Sequence, residues 1–278
     1  MSPSALPHTV ASMRWYHTLE LPDGIVTPGE YDLRPIVESL PWPDLHGARC
    51  LDVGSRDGFF AFEMERRGAA EVVSVDIDDP AGLHFPGPPA AWPSNEAIQA
   101  ELDAGNRAFE VARKAKGSAV RRELMSVYDV APEELGIFDF AMIGTLLLHL
   151  RDPVAALQAI REVVSGRLLI NEPITVELAT IRRPAAELMM PPGLPFWWLP
   201  NPAGLRRLAE AAGFEVLATG KPYVIPFGAG GSPRSVRACL SLSVRRTMRR
   251  LAWRRGAAHV WMLAQSLAER EMTGPDVR

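Results

Sequence analysis

An α/β fold, with a mostly parallel twisted sheet and helices on both faces, follows from three features of this 278-residue sequence. Short apolar runs of strand length alternate with amphipathic stretches of helix length. A glycine-punctuated turn joins the first of those strands to the first helix, and an acidic residue closes the second strand. Such alternation predicts parallel strands, because each crossover helix returns the chain to the same sheet in the same direction. Ligands then gather at the carboxyl ends of the strands.

Residues 1–46 are rich in Pro and aromatics and carry little periodicity beyond an amphipathic stretch around Tyr31–Leu40. They are expected to form a flap or cap over one domain spanning 47–278. ARCLDV (48–53) reads as a short buried strand, followed by a helix over 59–67 and a second buried strand, EVVSVDI (71–77). A Pro/Gly loop (81–93) leads into two polar amphipathic helices, roughly 94–104 and 106–115, so the span 81–117 is read as a helical insertion. RRELMSVY (121–128) is strand-like, a short turn of helix follows at 132–135, and FDFAMIG (138–144) is another strand. PVAALQAIREVV (153–164) places Val154, Leu157, Ile160, Val163 and Val164 on one helical stripe. GRLLINEP (166–173) is a buried strand. PAGLRRLAEAAGF (202–214) starts on Pro and has Gly near its end, as a helix should. HVWMLAQS (259–266) has the makings of a last buried strand.

Composition narrows the function classes. A 47% hydrophobic chain of this length can bury a full core without disulfides. The net charge of −3 argues against a dedicated polyanion-binding surface. The two cysteines, Cys50 and Cys239, are far apart and read as reduced thiols, which fits a cytoplasmic compartment. MSPSALPHTV lacks a basic region followed by an apolar one, so no signal peptide is expected. No apolar run approaches membrane-spanning length, so no membrane partner is expected. Asp76, Asp78 and Asp79 cluster, but the last two read as turn residues before Pro80, and no metal site is expected. One segment stands apart: SVRRTMRRLAWRR (243–255) carries six arginines. It reads as a helical insertion near 231–256 with a solvated basic face, a nucleic-acid or acidic-partner patch, or a homodimer contact.

The sharpest signal is CLDVGSRDGFFAFEMERRGAAEVVSVDID (50–78). Gly54 lets the backbone turn where a Cβ would clash, and Gly58 allows the chain to approach a ligand closely. Asp76 ends the second strand, where its carboxylate can accept hydrogen bonds from both ribose hydroxyls of an adenosine. Asp52 lies two residues before the first glycine. A pyrophosphate would be repelled by that charge, whereas S-adenosylmethionine, with its ammonium and sulfonium and no phosphate, would be attracted.

This stretch resembles motifs I and II of the class I S-adenosylmethionine-dependent methyltransferases, with Arg56 standing where the motif usually has its middle glycine. The resemblance implies a Rossmann-like methyltransferase fold. It also implies a cofactor site built from Asp52, Gly54, Ser55, Gly58, Phe59, Asp76 and Ile77. MSVYDV (125–130) resembles the segment lining the adenine, through Ser126, Val127 and Tyr128. The stretch 137–160 resembles the fourth strand and its loop, where Gly144, Thr145 and Leu146 would flank the cofactor. The wording is similar to that of the tRNA wobble-uridine (5-hydroxyuridine-type) methyltransferases in DVGSRDGFFAFEMERRGA, SVYDV, GTLLLHLRDP, FWWLPNPAGLRRLAEAAGF (196–214) and WYHTLELPDGIVTPGEYD (15–32). Those enzymes have a longer N-terminal region and a carboxylated donor held by basic and aromatic residues without a placed counterpart here. Ordinary S-adenosylmethionine, with S-adenosylhomocysteine as product, is therefore the expectation.

On the acceptor side, His149 follows the fourth strand and reads either as a general base or as a structural histidine before the next helix. His17 is a second candidate base in an N-terminal flap. There Trp15 and Tyr16 either cover a sulfonium by cation–π attraction or anchor the terminus. Glu172 either accepts a substrate hydroxyl or pairs with an arginine. Trp197 and Trp198, bounded by prolines, and Tyr31 are the candidate acceptor-binding aromatics, while Asn201 reads as a helix N-cap. The expected reaction is O-methylation of a small-molecule hydroxyl, such as a natural product or sugar intermediate. A tRNA methyltransferase relative and a non-catalytic adenosyl-ligand-binding protein are the alternatives.

Overall fold

A computed structural model describes residues 6–233 and 254–267, together with Met248 and Leu251. Cys239 and most of the arginine-rich stretch 244–255 lie outside the described residues, and so does most of the insertion read near 231–256. The chain opens with α1 (Leu6–Ala11), β1 (Trp15–His17) and β2 (Gly29–Tyr31), the two strands pairing in parallel. The Rossmann-like alternation then begins with β3 (Arg49–Val53), α2 (Phe59–Arg66) and β4 (Glu71–Asp76). It continues through α3 (Asn95–Lys116), β5 (Arg121–Leu124), α4 (Pro132–Leu135), β6 (Phe138–Gly144), α5 (Pro153–Val163) and β7 (Val164–Pro173). After a small antiparallel pair, β8 (Ala186–Leu188) and β9 (Trp198–Pro200), come α6 (Pro202–Ala211), β10 (Phe214–Thr219), β11 (Tyr223–Pro226) and β12 (Gly256–Ser266).

The large sheet has the order β10-β12-β7-β6-β3-β4-β5, with β11 also paired to β12. From β5 to β7 all neighbours are parallel, while β12 runs antiparallel to β7, β10 and β11. Successive strand residues face opposite sides, and this divides the core. Leu51, Val53, Ala141 and Ile143 pack with Leu157 and Ile160 of α5 and Leu205 of α6. Cys50, Phe140 and Met142 pack with Met64 of α2, Phe109 of α3 and Trp15, Leu19 and Leu33 of the N-terminal segment. The sequence 6–46 therefore contributes to the same core as the strands.

Helix starts follow local chemistry. The Asp152 side chain accepts from Ala155 N at 3.0 Å ahead of Pro153, and Asn201 accepts from Gly204 N at 2.7 Å ahead of Pro202. These are N-caps followed by a proline whose missing N–H is no loss. The sequence reading differs from the structure in several places. The two helices expected over 94–115 are one, and Gly105, where the break was read, packs against the Arg56 side chain, a Cβ there standing 3.1 Å from Nη1. Strand β5 ends at Leu124, and Val127–Asp129 is a 3-10 turn instead. In the amphipathic stretch after Tyr31 only Val37–Ser39 is helical, again as a 3-10 turn. Among the described residues, no helix is long and apolar enough to cross a membrane.

Candidate functional site

The turn after β3 puts Gly54, Arg56 and Gly58 at φ of 75°, 53° and 90°. Arg56 thus holds the left-handed conformation that the resembled motif gives to glycine. What holds it there is Asp76, whose Oδ2 accepts the Arg56 N–H at 2.7 Å and whose Oδ1 accepts the Ile77 N–H at 2.8 Å. The Arg122 guanidinium lies 3.3 Å from the same Oδ2. The Asp76 side chain keeps 18% exposure at the carboxyl edge, so charge and lone pairs remain for a ribose diol. A Cβ on Gly54 would stand 3.2 Å from Leu146, which brings the loops after β3 and β6 together. This edge fits an adenosyl group.

Asp52 occupies a different position from the one the charge argument gave it. Its carboxylate is buried behind the turn and accepts the Ala61 N–H of α2 at 3.0 Å, and burial pushes it up to about 7. Ser55 is also buried, with its N–H on the Val75 carbonyl at 3.3 Å. Phe59 packs 5.6 Å from the His17 ring and lines one cleft beside Val37 and Phe62, while its neighbour Phe60 lines a different cavity at the ends of β6 and β7. Ser126 caps the turn by accepting from Tyr128 N at 3.3 Å, and Val127 is core. The Tyr128 hydroxyl accepts from Asp152 N at 3.2 Å, and its ring lies 6.3 Å from that of His84.

A cavity of about 310 Å³ opens where β6 and β7 end, beneath β1 and β2. Gly144 lies in its wall, and a Cβ there would stand 2.2 Å from the Phe60 ring. Three histidines line it, His17, His149 and His259. Each has one ring nitrogen committed to an oxygen that can only accept, so each tautomer is set by its surroundings. His149 Nδ1 donates to the Pro195 carbonyl at 3.1 Å, and burial holds the ring down near 4. His259 Nδ1 donates to the Ala257 carbonyl at 3.0 Å, and Nε2 accepts from the Thr145 hydroxyl at 3.1 Å. His17 Nδ1 lies 2.5 Å from Oδ1 of the fully buried Asp57, whose Oδ2 also takes the Tyr16 and His17 N–H groups.

Glu172 is absent from the described cavity wall; its Oε1 accepts the N–H groups of Leu146 at 2.6 Å and Leu147 at 3.0 Å. It braces the loop after β6, with burial pushing it up to about 7. Tyr16 and Tyr31 do line the cavity, their rings 5.2 Å apart. Trp15 is buried in the core with its indole N–H on the Val10 carbonyl, which anchors the terminus. Trp197 and Trp198 stand outside the cavity wall, held by the carbonyls of His84 at 2.7 Å and Arg151 at 3.3 Å. The wall takes Phe196, whose ring lies 5.2 Å from that of His149.

Sequence reasoning passed over Asp57, Phe60, Asn171, Tyr223 and His259. Asp57 and Phe60 lie inside the glycine-turn segment itself, so the signal was adjacent. His259, Asn171 and Tyr223 meet only through the pairing of β7, β11 and β12, which no local pattern encodes. Among the described residues, no group of three or more His, Cys, Asp or Glu side chains is placed to hold a metal ion.

Residues 29–219 match a family model described as a methyltransferase domain. No curated protein matches the sequence. Among solved structures, the N-terminal domain of EvdMO1, determined in the presence of S-adenosylhomocysteine and D-fucose, is similar with a TM-score of 0.55 at 15% identity. That alignment covers 96% of this chain and 98% of that one. An S-adenosylmethionine-dependent methyltransferase from Mesorhizobium loti gives 0.48 at 12% identity, covering 84% and 96% of the two chains. The 1,6-didemethyltoxoflavin-N1-methyltransferase of Burkholderia thailandensis gives 0.47 at 16%, covering 80% and 72%. At these identities the likeness is one of fold.

Proposed function

The chain belongs to the methyltransferase-domain family, and on that premise we propose that it methylates a hydroxyl group of a small molecule, using S-adenosylmethionine. When bound, this cofactor supplies an electrophilic methyl group on a sulfonium sulfur. Asp76 would take its ribose hydroxyls, with Ile77 and Ser126–Tyr128 beside the adenine and Gly144–Leu146 along the remainder. Orientation of the acceptor is the main task left to the protein. A hydroxyl must also surrender its proton.

The observation that carries this reading is the pair formed by His17 in the cavity wall and the buried Asp57 behind it. With Nδ1–H committed to the carboxylate, Nε2 is the basic nitrogen of His17, and Asp57 stabilises the imidazolium that forms when it accepts a proton. His149 is oriented too, but its depressed pKa makes it a poor base. At about 310 Å³ the cavity suits a sugar-sized molecule. The D-fucose present with the EvdMO1 domain makes a sugar hydroxyl the first acceptor class to test.

The test is transfer of a labelled methyl group to sugars, phenols and hydroxy acids, with tRNA assayed in parallel at two salt concentrations. Label on a small hydroxyl compound, lost in His17→Gln, is the expected result. Salt-sensitive labelling of tRNA alone would move the assignment to the nucleic-acid reading. Binding of S-adenosylhomocysteine without transfer to any acceptor would favour a non-catalytic protein.

A further inference from the structure

Three side chains of the cavity wall, and a fourth that bonds one of them from behind, come together from separate elements. They are Asn171 of β7, Tyr223 of β11, His259 of β12 and Thr145 in the turn after β6. Asn171 is 1% exposed. The Tyr223 hydroxyl donates to Asn171 Oδ1. Asn171 Nδ2 is then buried without any hydrogen-bond partner. A buried amide N–H left unpaired destabilises a fold, and native structures rarely keep one without a use.

Its neighbours have no protons left to offer. The Thr145 hydroxyl is spent on His259 Nε2, and His259 Nδ1–H on the Ala257 carbonyl. Thr145 holds φ at 64°, an unfavourable conformation for a β-branched residue, which the surrounding contacts must sustain. Of these four side chains, only Asn171 presents uncommitted donors, and Asn171 lines the cavity.

We propose that Asn171 is a specificity-determining donor that reads a neutral oxygen of the methyl acceptor, such as a ring ether, a carbonyl or a second hydroxyl. The identity of that ligand as the acceptor rests on the methyltransferase reading above. The preference for a neutral group follows from the surroundings. His259 is held near 4 by burial and the Tyr223 hydroxyl is pushed above its usual range, so both are uncharged at neutral pH. The described cavity wall includes Glu30 and Glu177 and no Lys or Arg. A carboxylate or phosphate entering it would lose its hydration without meeting a lysine or arginine of the wall. A polyoxygenated neutral molecule would gain the bond that Asn171 Nδ2 leaves unmade.

The experiment titrates D-fucose and D-galacturonate, neutral and anionic sugars with the same ring hydroxyls, into the full chain saturated with S-adenosylhomocysteine. Wild type is expected to bind D-fucose at least about tenfold more tightly than D-galacturonate. Asn171→Ala should lose about tenfold or more in D-fucose affinity, one hydrogen bond's worth, with S-adenosylhomocysteine affinity unchanged. Tyr223→Phe, which leaves the amide in place but frees its orientation, should lose less, and thermal melting checks that both variants fold. Equal D-fucose binding by Asn171→Ala, equal binding of the two sugars, or no binding of D-fucose by the loaded wild type would each overturn the proposal. Failure of S-adenosylhomocysteine itself to bind would bring down the methyltransferase reading instead.

Discussion

Asp57 holds His17 at two points, taking its main-chain N–H at 2.8 Å on Oδ2 and its ring Nδ1 at 2.5 Å on Oδ1. A residue of the glycine turn thereby fixes both the path of β1 and the tautomer of a ring in the cavity wall. With the Tyr16 N–H also on Oδ2 at 2.8 Å, the turn and the N-terminal segment form one hydrogen-bonded unit. The loop after β11 closes over the same segment, with Gly228 N on the Glu30 carbonyl and Asp32 N on that of Pro226, both at 2.9 Å.

Replacing Asp57 with Asn removes the charge that stabilises a protonated His17 and turns an amide N–H toward groups that are themselves donors. The expected result is a fall in kcat of about two to four orders of magnitude. A stability loss of about 1–3 kcal/mol should accompany it. Steady-state rates with the identified acceptor, alongside thermal melts, measure both. A kcat within twofold of wild type would remove His17 from the chemistry.

Asp76 is where adenosyl affinity should concentrate. Each hydrogen bond from a ribose hydroxyl to a carboxylate is worth about 1.5–3 kcal/mol. Asp76→Ala also releases Arg56 from its left-handed conformation. Calorimetry should show S-adenosylhomocysteine binding weakened by about a hundredfold or more, and no binding of NAD to either protein. Retained affinity in the variant would mean that the adenosyl group sits elsewhere.

Gly144 and Phe60 share a space that one Cβ would overfill. Gly144→Ala is expected to cost about 1–3 kcal/mol, the usual range for overpacking, and to weaken acceptor binding. Adding Phe60→Leu should recover part of both losses. If the double variant melts no higher than the single one, the strain lies in the backbone rather than in the ring.

The strands were legible because each is a short apolar run ended by a turn signal. Phe138–Gly144 falls where the apolar pattern placed it, while β7 and β12 start two and three residues earlier than read and end where read. Gly54, Gly58 and Asp76 were legible because a tight turn and a strand-end carboxylate leave residue-type signatures. The cavity wall was legible in part, through Tyr16, His17, Tyr31, Gly144, Thr145 and His149, but its contacts across the sheet were not. His259 reaches Thr145 across 114 positions, and Tyr223 reaches Asn171 across 52. Trp197 and Trp198 misled because two large aromatics suggest stacking, whereas their indole N–H groups are taken by main-chain carbonyls. Phe196, with no polar atom to satisfy, is the ring left for the cavity.

Buried ionisable groups give stability two opposing pH dependences. Asp52 and Glu172 are pushed up to about 7 from ordinary values of 3.8 and 4.5. Both bind protons more tightly folded than unfolded, so their contribution is full in acid and is lost as the pH rises toward 7. His149 and His259 are pushed down to about 4 from 6.5, so theirs is full above 6.5 and is lost as the pH falls toward 4. Asp52→Asn keeps an oxygen for the Ala61 N–H and removes the ionisation, so its melting temperature relative to wild type should rise between pH 5 and pH 8. His259→Gln removes a proton-linked penalty of the opposite sign, so its deficit relative to wild type should shrink between pH 7 and pH 5. Melting curves across pH 4.5–8.5 resolve the two limbs, and a difference that stays flat in either variant would show that its group titrates alike in the folded and unfolded chain.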